Sequence, residues 1–266
     1  MKHRILRIVG AAAIIVAGSV NTSPGRAQSR LSFEVASVKP SAPGGVLGGI
    51  KPMPGGQTYI ATNIPLRLMM MSVYRISDSQ IVGEPSWMDT EHWDVDAKAE
   101  RPSNLDQLHE MFQTLLAERF KLQFHRELKE IAAYVLSVDK SGSKLIPGDP
   151  KDAFDIPMKP GDRPGETIGT SVQMAYLCWR LSLQLNTPVV NQTGLDGYYN
   201  FTLRLPPPQP LLQKLDGPGP TPAPSSADLA ADLSTALRQQ LGLKFESRKT
   251  PVQIFVVDHV ERPTIN

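Results

Sequence analysis

Cysteine is almost absent from this chain, since Cys178 is the only one among 266 residues. No intramolecular disulfide can form, so the stability of the fold has to come from its hydrophobic core. Because Cys178 lies on the apolar face of a predicted helix, we expect it to be buried as a small hydrophobic side chain.

Two further absences exclude classes of function. The sequence has no run of Lys and Arg with interleaved aromatic residues, and its formal net charge is only +2. We therefore expect no nucleic-acid partner. The glycines between residues 44 and 56 are not followed by the Lys-Ser/Thr pair of a phosphate-binding loop, and no cofactor is expected.

The only long apolar stretch is at the N-terminus, over residues 8–20, after the basic Lys2 and Arg7 and before the small Ala27. It is too short to span a bilayer comfortably, and the pattern is typical of a secretory signal over residues 1–27, cleaved after Ala27. A retained membrane anchor is the alternative. The pattern predicts a mature protein in the bacterial periplasm or outside the cell, with no stable membrane insertion.

The chain resembles itself over part of its length, because residues 108–138 align with residues 229–259 without a gap at a constant offset of 121. The apolar positions coincide while the polar residues between them differ, which predicts one structural unit present twice. The coinciding pairs are Leu108 and Leu229, Phe112 and Leu233, Leu116 and Leu237, Leu122 and Leu243, Phe124 and Phe245, Ile131 and Val252, Tyr134 and Phe255, and Val135 and Val256.

Both halves show the periodicities of a helix, two strands, a second helix and two more strands. This order predicts an α+β fold of two duplicated units, each a small, mostly antiparallel sheet covered by two helices. The units span residues 29–140 and 165–266, with a linker over 141–164 and a proline-rich insertion over 206–226. The apolar residues 252–257 could form an exposed edge strand or a central one, and the sequence leaves both open.

Three motifs carry a resemblance to a known family: FEVASVKPS at residues 33–41, TGLDGYYNFTL at 193–203, and a tail from residue 240 to 264. They resemble an uncharacterised family of exported proteins from soil bacteria, a domain of unknown function. The resemblance covers nearly all of the mature chain and implies a role near the cell envelope. Aspartates are usual in that family where this chain has Asn191 and Asn200, which argues against carboxylate chemistry at those positions.

Each half is also similar, more distantly, to the short periplasmic N-terminal domain of secretins and outer-membrane receptors. That similarity rests on the order of the elements and on a helix that leads into Leu241-Gly242-Leu243. Such modules bind neighbouring proteins or short peptides, so the resemblance implies an envelope protein or a peptide as partner.

The sharpest local motif is a turn made of Thr193, Gly194, Leu195, Asp196 and Gly197. Its glycines are typical of a tight connection that needs positive φ, and a recognition loop is the functional alternative. Among the tryptophans, Trp87 is the candidate for an exposed binding side chain.

The best metal candidates are His92, Asp94 and Asp96, which alternate along one face of a predicted strand. The alternative is the polar face of any half-exposed strand. No nucleophile motif is present, because Cys178 has no His nearby in sequence and there is no Gly-x-Ser-x-Gly. A non-catalytic envelope module that binds a protein or peptide is favoured. A peptide or cell-wall hydrolase, metal-assisted through the same three residues, is the alternative, and the oligomeric state is left open.

Overall fold

A computed structural model describes residues 30–150, 156–205 and 225–264. The predicted signal over residues 1–27 and most of the insertion over 206–226 lie outside the described residues. Within the described stretches, no helix combines the length and the apolar character needed to cross a membrane.

In its described residues, the first half contains six strands and three α-helices, with a short 3-10 helix over Asp78–Gln80. In chain order they are β1 Val35–Pro40, β2 Gly49–Pro52, β3 Thr58–Pro65, α1 Leu66–Tyr74, β4 Ile81–Val82, α2 Trp87–Thr90, β5 His92–Lys98, α3 Leu105–Arg119 and β6 Gln123–Val138.

The second half contains six strands and two helices in its described residues. They are β7 Ile146–Pro147, β8 Met158–Pro160, β9 Glu166–Gln173, α4 Met174–Leu185, β10 Val189–Asn191, β11 Tyr198–Arg204, α5 Ser226–Ala236 and β12 Leu243–His259. Helix α5 continues into a π-helical turn over Leu237–Leu241. Since Ser225 caps α5, the predicted insertion ends before that residue.

The strands form three four-stranded sheets, which confirms the predicted α+β class. One sheet has the order β1-β5-β3-β2 and another the order β7-β11-β9-β8, and all their pairings are antiparallel. The third, the central sheet, has the order β10-β6-β12-β4 and is drawn from both halves. Each half therefore has its own sheet and contributes a long and a short strand to a shared one.

Strands β6 and β12 are each continuous where the sequence suggested two short strands. They pair antiparallel from Val138 opposite Leu243 to Gln123 opposite His259. The polar stretch at residues 125–130 suggested a break, but its backbone stays extended because it is hydrogen-bonded to β12. Strand β4 pairs with β12 at Phe255 and Val256, so the run over residues 252–257 belongs to a central strand and is flanked on both sides at these two residues.

The segment predicted as a linker, residues 141–164, carries strands β7 and β8 of the second-half sheet. Both are short and rich in Pro, which is typical of edge strands, and local composition did not distinguish them from a loop. The two predicted units are also not separated in space, because β10 pairs with β6 and β4 pairs with β12.

The strand registers of the two halves correspond. Strands β3 and β5 pair from Thr58 opposite Lys98 to Pro65 opposite His92, with one irregularity, and β9 and β11 pair from Glu166 opposite Arg204 to Gln173 opposite Tyr198, with one irregularity. The residue two positions before the end of β3 and of β9, Asn63 and Ser171 respectively, has positive φ in both halves. These correspondences support the duplication, which remains a prediction.

The hydrophobic core includes residues from both halves. Apolar periodicity in the sequence predicts eight core side chains. Met69, Phe112, Val135, Leu177, Leu237 and Phe245 are buried, while Phe124 and Val256 are half-buried. Cys178 is buried, as its position on the apolar helix face indicated.

Helix ends follow the expected capping chemistry with one shift. Asn104 and Gln107 form the capping box of α3, although Ser103 with Asp106 three residues later shows the same pattern in the sequence. Gly242 ends the helix before β12 with a left-handed φ of 66°. A Cβ atom at Gly242 would lie 2.1 Å from the carbonyl oxygen of Gly142, so this position excludes any side chain.

We predict that Gly242→Ala destabilises the fold by more than the backbone cost of a left-handed alanine, which is about 1–2 kcal/mol. Gly44→Ala is the matched control, because Gly44 also has positive φ but a Cβ there would meet nothing within 4 Å. Urea unfolding should show a larger loss for Gly242→Ala, and equal losses for the two variants would contradict the close contact.

Candidate functional site

Two of the three predicted metal ligands stabilise the irregular end of β3. Asp94 Oδ1 accepts hydrogen bonds from Ser41 Oγ at 2.8 Å and from the backbone N–H of Asn63 at 2.8 Å. His92 Nδ1 lies 3.0 Å from Asn63 Oδ1, while Asp96 is exposed. Among the residues that the structure describes, no group of three or more His, Cys, Asp or Glu is placed to hold a metal ion.

In the second half, a side-chain amide oxygen accepts the corresponding backbone hydrogen bond. Asn200 Oδ1 accepts from the backbone N–H of the left-handed Ser171 at 2.7 Å, at the position in β11 that corresponds to Asp94 in β5. Because an amide oxygen and a carboxylate oxygen can both accept this bond, Asp and Asn are interchangeable there. The Asn at position 200 thus has a structural role.

We predict that Asp94→Ala lowers the free energy of unfolding by about 1–3 kcal/mol, because the N–H of Asn63 loses its acceptor. Asp94→Asn should lose less, since its Oδ1 can still accept. Asp96→Ala is the control, on the same strand but exposed. Urea unfolding would contradict the structural role of Asp94 if its alanine variant were as stable as the control.

The turn at residues 193–197 is ordered by its own hydrogen bonds. Asn191 Oδ1 accepts from the backbone N–H of Thr193 at 3.1 Å and from its Oγ1 at 2.8 Å. Thr193 Oγ1 in turn accepts from the N–H of Leu195 at 3.2 Å, and Gly194 takes a φ of 67°. Asn191 therefore caps the turn, and Asp196 is exposed at its tip.

Trp87 is half-buried and already has a partner on its face. The guanidinium of Arg262 lies 5.1 Å from the centre of the Trp87 ring, and Arg262 Nη2 donates to Glu91 Oε1 at 2.6 Å. The hydrogen bond from Arg262 lowers the pKa of Glu91. The structure thus gives Trp87 a packing role beside an ion pair.

The feature that sequence reasoning missed is an open cleft of about 250 Å³ between the two halves. Its lining comes from the end of α1, the start of α3, the end of β9 and the start of α4, together with the first residue of β11 and the residue before β8. The lining residues are Arg75, Asn104, Leu105, Asp106, Pro157, Ser171, Gln173, Tyr176 and Tyr198. Tyr198 directly follows the turn at residues 193–197, so the predicted binding turn adjoins the cleft.

Arg75 is the central side chain of the cleft. It is the left-handed C-cap of α1, with a φ of 54°. Its Nη2 forms an ion pair with Asp106, its Nη1 donates to Gln173 Oε1 at 3.1 Å, and its guanidinium lies 5.6 Å from the centre of the Tyr176 ring. Its Nε is buried and has no hydrogen-bond partner in the described part of the chain.

A buried pair of polar rings, Tyr59 and His109, lies close enough for the charge of Arg75 to act on both. His109 Nε2 lies 2.9 Å from the hydroxyl of Tyr59. Burial, and then the charge of Arg75, lower the pKa of His109 to about 3. Burial raises the pKa of Tyr59 above its ordinary range, so both rings are neutral near pH 7.

The depressed pKa of His109 makes the stability of the fold depend on pH. Unfolded His109 binds a proton near pH 6.5, while the folded state resists protonation down to about pH 3. The free energy of unfolding should therefore fall below pH 6.5, by about 2 kcal/mol at pH 5 from this residue alone.

His109→Gln, which can still bond Tyr59, should remove this part of the loss between pH 7.5 and pH 5. The exposed His259→Gln is the control and should keep the wild-type slope. Urea unfolding at both pH values measures the difference, and parallel slopes for His109→Gln and wild type would be inconsistent with a buried neutral His109.

The thiol of Cys178 does not supply a nucleophile. Burial raises its pKa to about 12, so the thiolate is a negligible fraction near pH 7. His125, in contrast, is exposed and bonded to Asp258 at 2.8 Å and Glu127 at 3.3 Å, and these bonds raise its pKa.

A protein family described as "Protein of unknown function (DUF3738)" matches residues 67–260. The chain belongs to this family. The matched range runs from the first turn of α1 to the residue after β12, so it includes the central sheet and every residue that lines the cleft. No curated protein and no solved structure matches the chain.

Proposed function

We propose that this DUF3738 protein is a non-catalytic binding module of the bacterial envelope, which takes part of an extended peptide or protein segment into the Arg75 cleft. The observation that carries the proposal is the guanidinium of Arg75. Three features fix its position, while its buried Nε still lacks an acceptor. Buried donors in folded proteins are paired in the great majority, so a shift of the neighbouring side chains that lets an incoming oxygen reach Nε would be favoured.

The chemistry of the lining favours a neutral acceptor. Asp106 already balances the charge of Arg75, so a carbonyl or amide oxygen can accept from Nε without bringing a second charge. Tyr176 and Tyr198 add ring faces and hydroxyl groups, a combination common at protein interfaces. An extended peptide supplies both a carbonyl oxygen and side chains that can contact these tyrosines.

The shape of the cleft favours contact with a surface segment over a bound cofactor. Its volume of about 250 Å³ includes space open to solvent, so the enclosed part is much smaller than the roughly 300–1,000 Å³ of a typical small-molecule pocket. One acceptor group of a longer segment would enter, with the remaining residues on the surface around it. The adjoining turn at residues 193–197 would then contact the same segment from the side of Tyr198.

The envelope location rests on the predicted signal over residues 1–27 and on the resemblance to exported proteins of soil bacteria. The similarity of each half to the periplasmic domain of secretins supports a protein or peptide as partner. The hydrolase alternative gains no support from His92 and Asp94, because both are engaged in the hydrogen bonds at Asn63.

We predict that Tyr198→Ala weakens peptide binding about fivefold or more, because truncating a central aromatic contact typically costs over 1 kcal/mol. Peptides would be selected from a display library of random linear sequences and their affinities measured by calorimetry. Ile168→Ala is the matched control, since Ile168 is a partly exposed residue of the same sheet outside the cleft lining. Failure to select any peptide, or equal loss in both variants, would overturn the proposal.

A further inference from the structure

The two long strands of the central sheet are flanked by very short ones. On the outer side of β6, strand β10 pairs only with residues Tyr134, Val135 and Leu136. Residues 123–133 of β6 therefore have no neighbouring strand on that side in the part of the chain that the structure describes. This segment is called the open edge below.

The direction of the backbone groups on the open edge follows from the contacts of its neighbours. The N–H of Tyr134 donates outward to Pro188 at 2.9 Å, and the carbonyl of Leu136 accepts from Gln192 at 2.8 Å. Because direction alternates along a strand, the even-numbered residues from 124 to 132 also direct their N–H and C=O groups outward. The open edge thus offers a row of hydrogen-bonding groups.

The corresponding edge of β12 is protected, in contrast. Pro251 has no N–H to donate, and the carbonyl of Gln253 already accepts from Gln80 Nε2 at 2.9 Å. Proline and side-chain caps are common devices against pairing at an edge. On the open edge, the side chain of Leu128 is instead 73% exposed.

We propose that two copies of this protein pair through their open edges, antiparallel, about a two-fold axis at Leu128. The charges of the edge favour this register. Arg126 would lie opposite Glu130 of the partner subunit. Glu127, which pairs with Lys129 of its own strand at 3.0 Å, would also lie opposite Lys129 of the partner subunit. Opposite charges in directly facing positions stabilise a pair of strands.

Neighbouring registers are less favourable. An axis at Glu127 would place that carboxylate opposite its own copy, and an axis at Lys129 would do the same with two ammonium groups. Both arrangements put like charges directly opposite each other, which is destabilising. With the axis at Leu128, the two exposed leucine side chains meet instead and bury apolar surface.

The length of the open edge fits the same register. With the axis at Leu128, residue 123 lies opposite residue 133 of the partner subunit, and the pairing ends before Tyr134, where β10 begins. The five outward-directed residues of each copy would make about ten backbone hydrogen bonds, because each hydrogen-bonded pair exchanges two. The central sheets of both copies would join into one continuous sheet. This pairing is independent of the Arg75 cleft.

The test is the dissociation constant of the dimer, measured by sedimentation equilibrium on the purified protein. Glu127→Lys should weaken the dimer about tenfold or more. The substitution places a lysine opposite Lys129 of the partner subunit, and the two-fold axis repeats this like-charge pair once. Glu127→Lys with Lys129→Glu should restore it. Lys249→Glu, an exposed change on β12, is the control and should leave the constant unchanged.

A second measurement reports the axis directly. Cys178 is buried, so Leu128→Cys introduces the one accessible thiol of the described residues. A short bis-maleimide should then link two copies through residue 128, while a thiol placed at residue 249 should not. The proposal is overturned if the protein is monomeric at all concentrations, if the double charge swap fails to restore the dimer, or if residue 128 does not crosslink.

Discussion

The antiparallel pairing of β6 with β12 is the interaction on which the rest of the structure depends. It joins the last strand of one half to the last strand of the other over nearly their whole length. Aromatic side chains stabilise both ends. At one end Phe124 and Phe255 lie 5.1 Å apart between ring centres, and at the other Tyr134 and Phe245 stack at 4.7 Å. Neither half buries the inner face of its long strand without the other, so the two form one core.

Joining the halves in this way creates the cleft as a consequence. The end of α1 belongs to the first half and the start of α4 to the second, and Arg75 connects them through Gln173 and the ring of Tyr176. Leaving an arginine unpaired at the boundary between the halves would cost free energy. The partners of Arg75 therefore determine its position. The rings of His109 and Tyr59, on which the charge of Arg75 acts, are uncharged because they are buried. Neither ring therefore changes its protonation state near pH 7.

Local motifs for which the sequence suggested metal binding or recognition have structural roles. Asp94 and Asn200 both satisfy the N–H of a left-handed residue that precedes a helix, and Asn191 caps the turn at residues 193–197. In a sequence, a short polar side chain that binds a ligand cannot be distinguished from one that accepts a hydrogen bond from a backbone N–H. Only the partner distinguishes the two, and the partners lie far away in sequence.

By itself, the sequence determined the α+β class and the burial of Cys178, because these depend on local periodicity. The tertiary structure alone decided that residues 123–138 and 243–259 are single strands, that the predicted linker supplies two edge strands, and that Arg75 meets Gln173 and Tyr176. Polar residues such as Arg126 to Glu130 suggest a loop locally, yet pairing with β12 keeps them extended. Long-range strand pairing and contacts between halves leave no periodic trace in a sequence, so the cleft and the open edge became visible only in the folded chain.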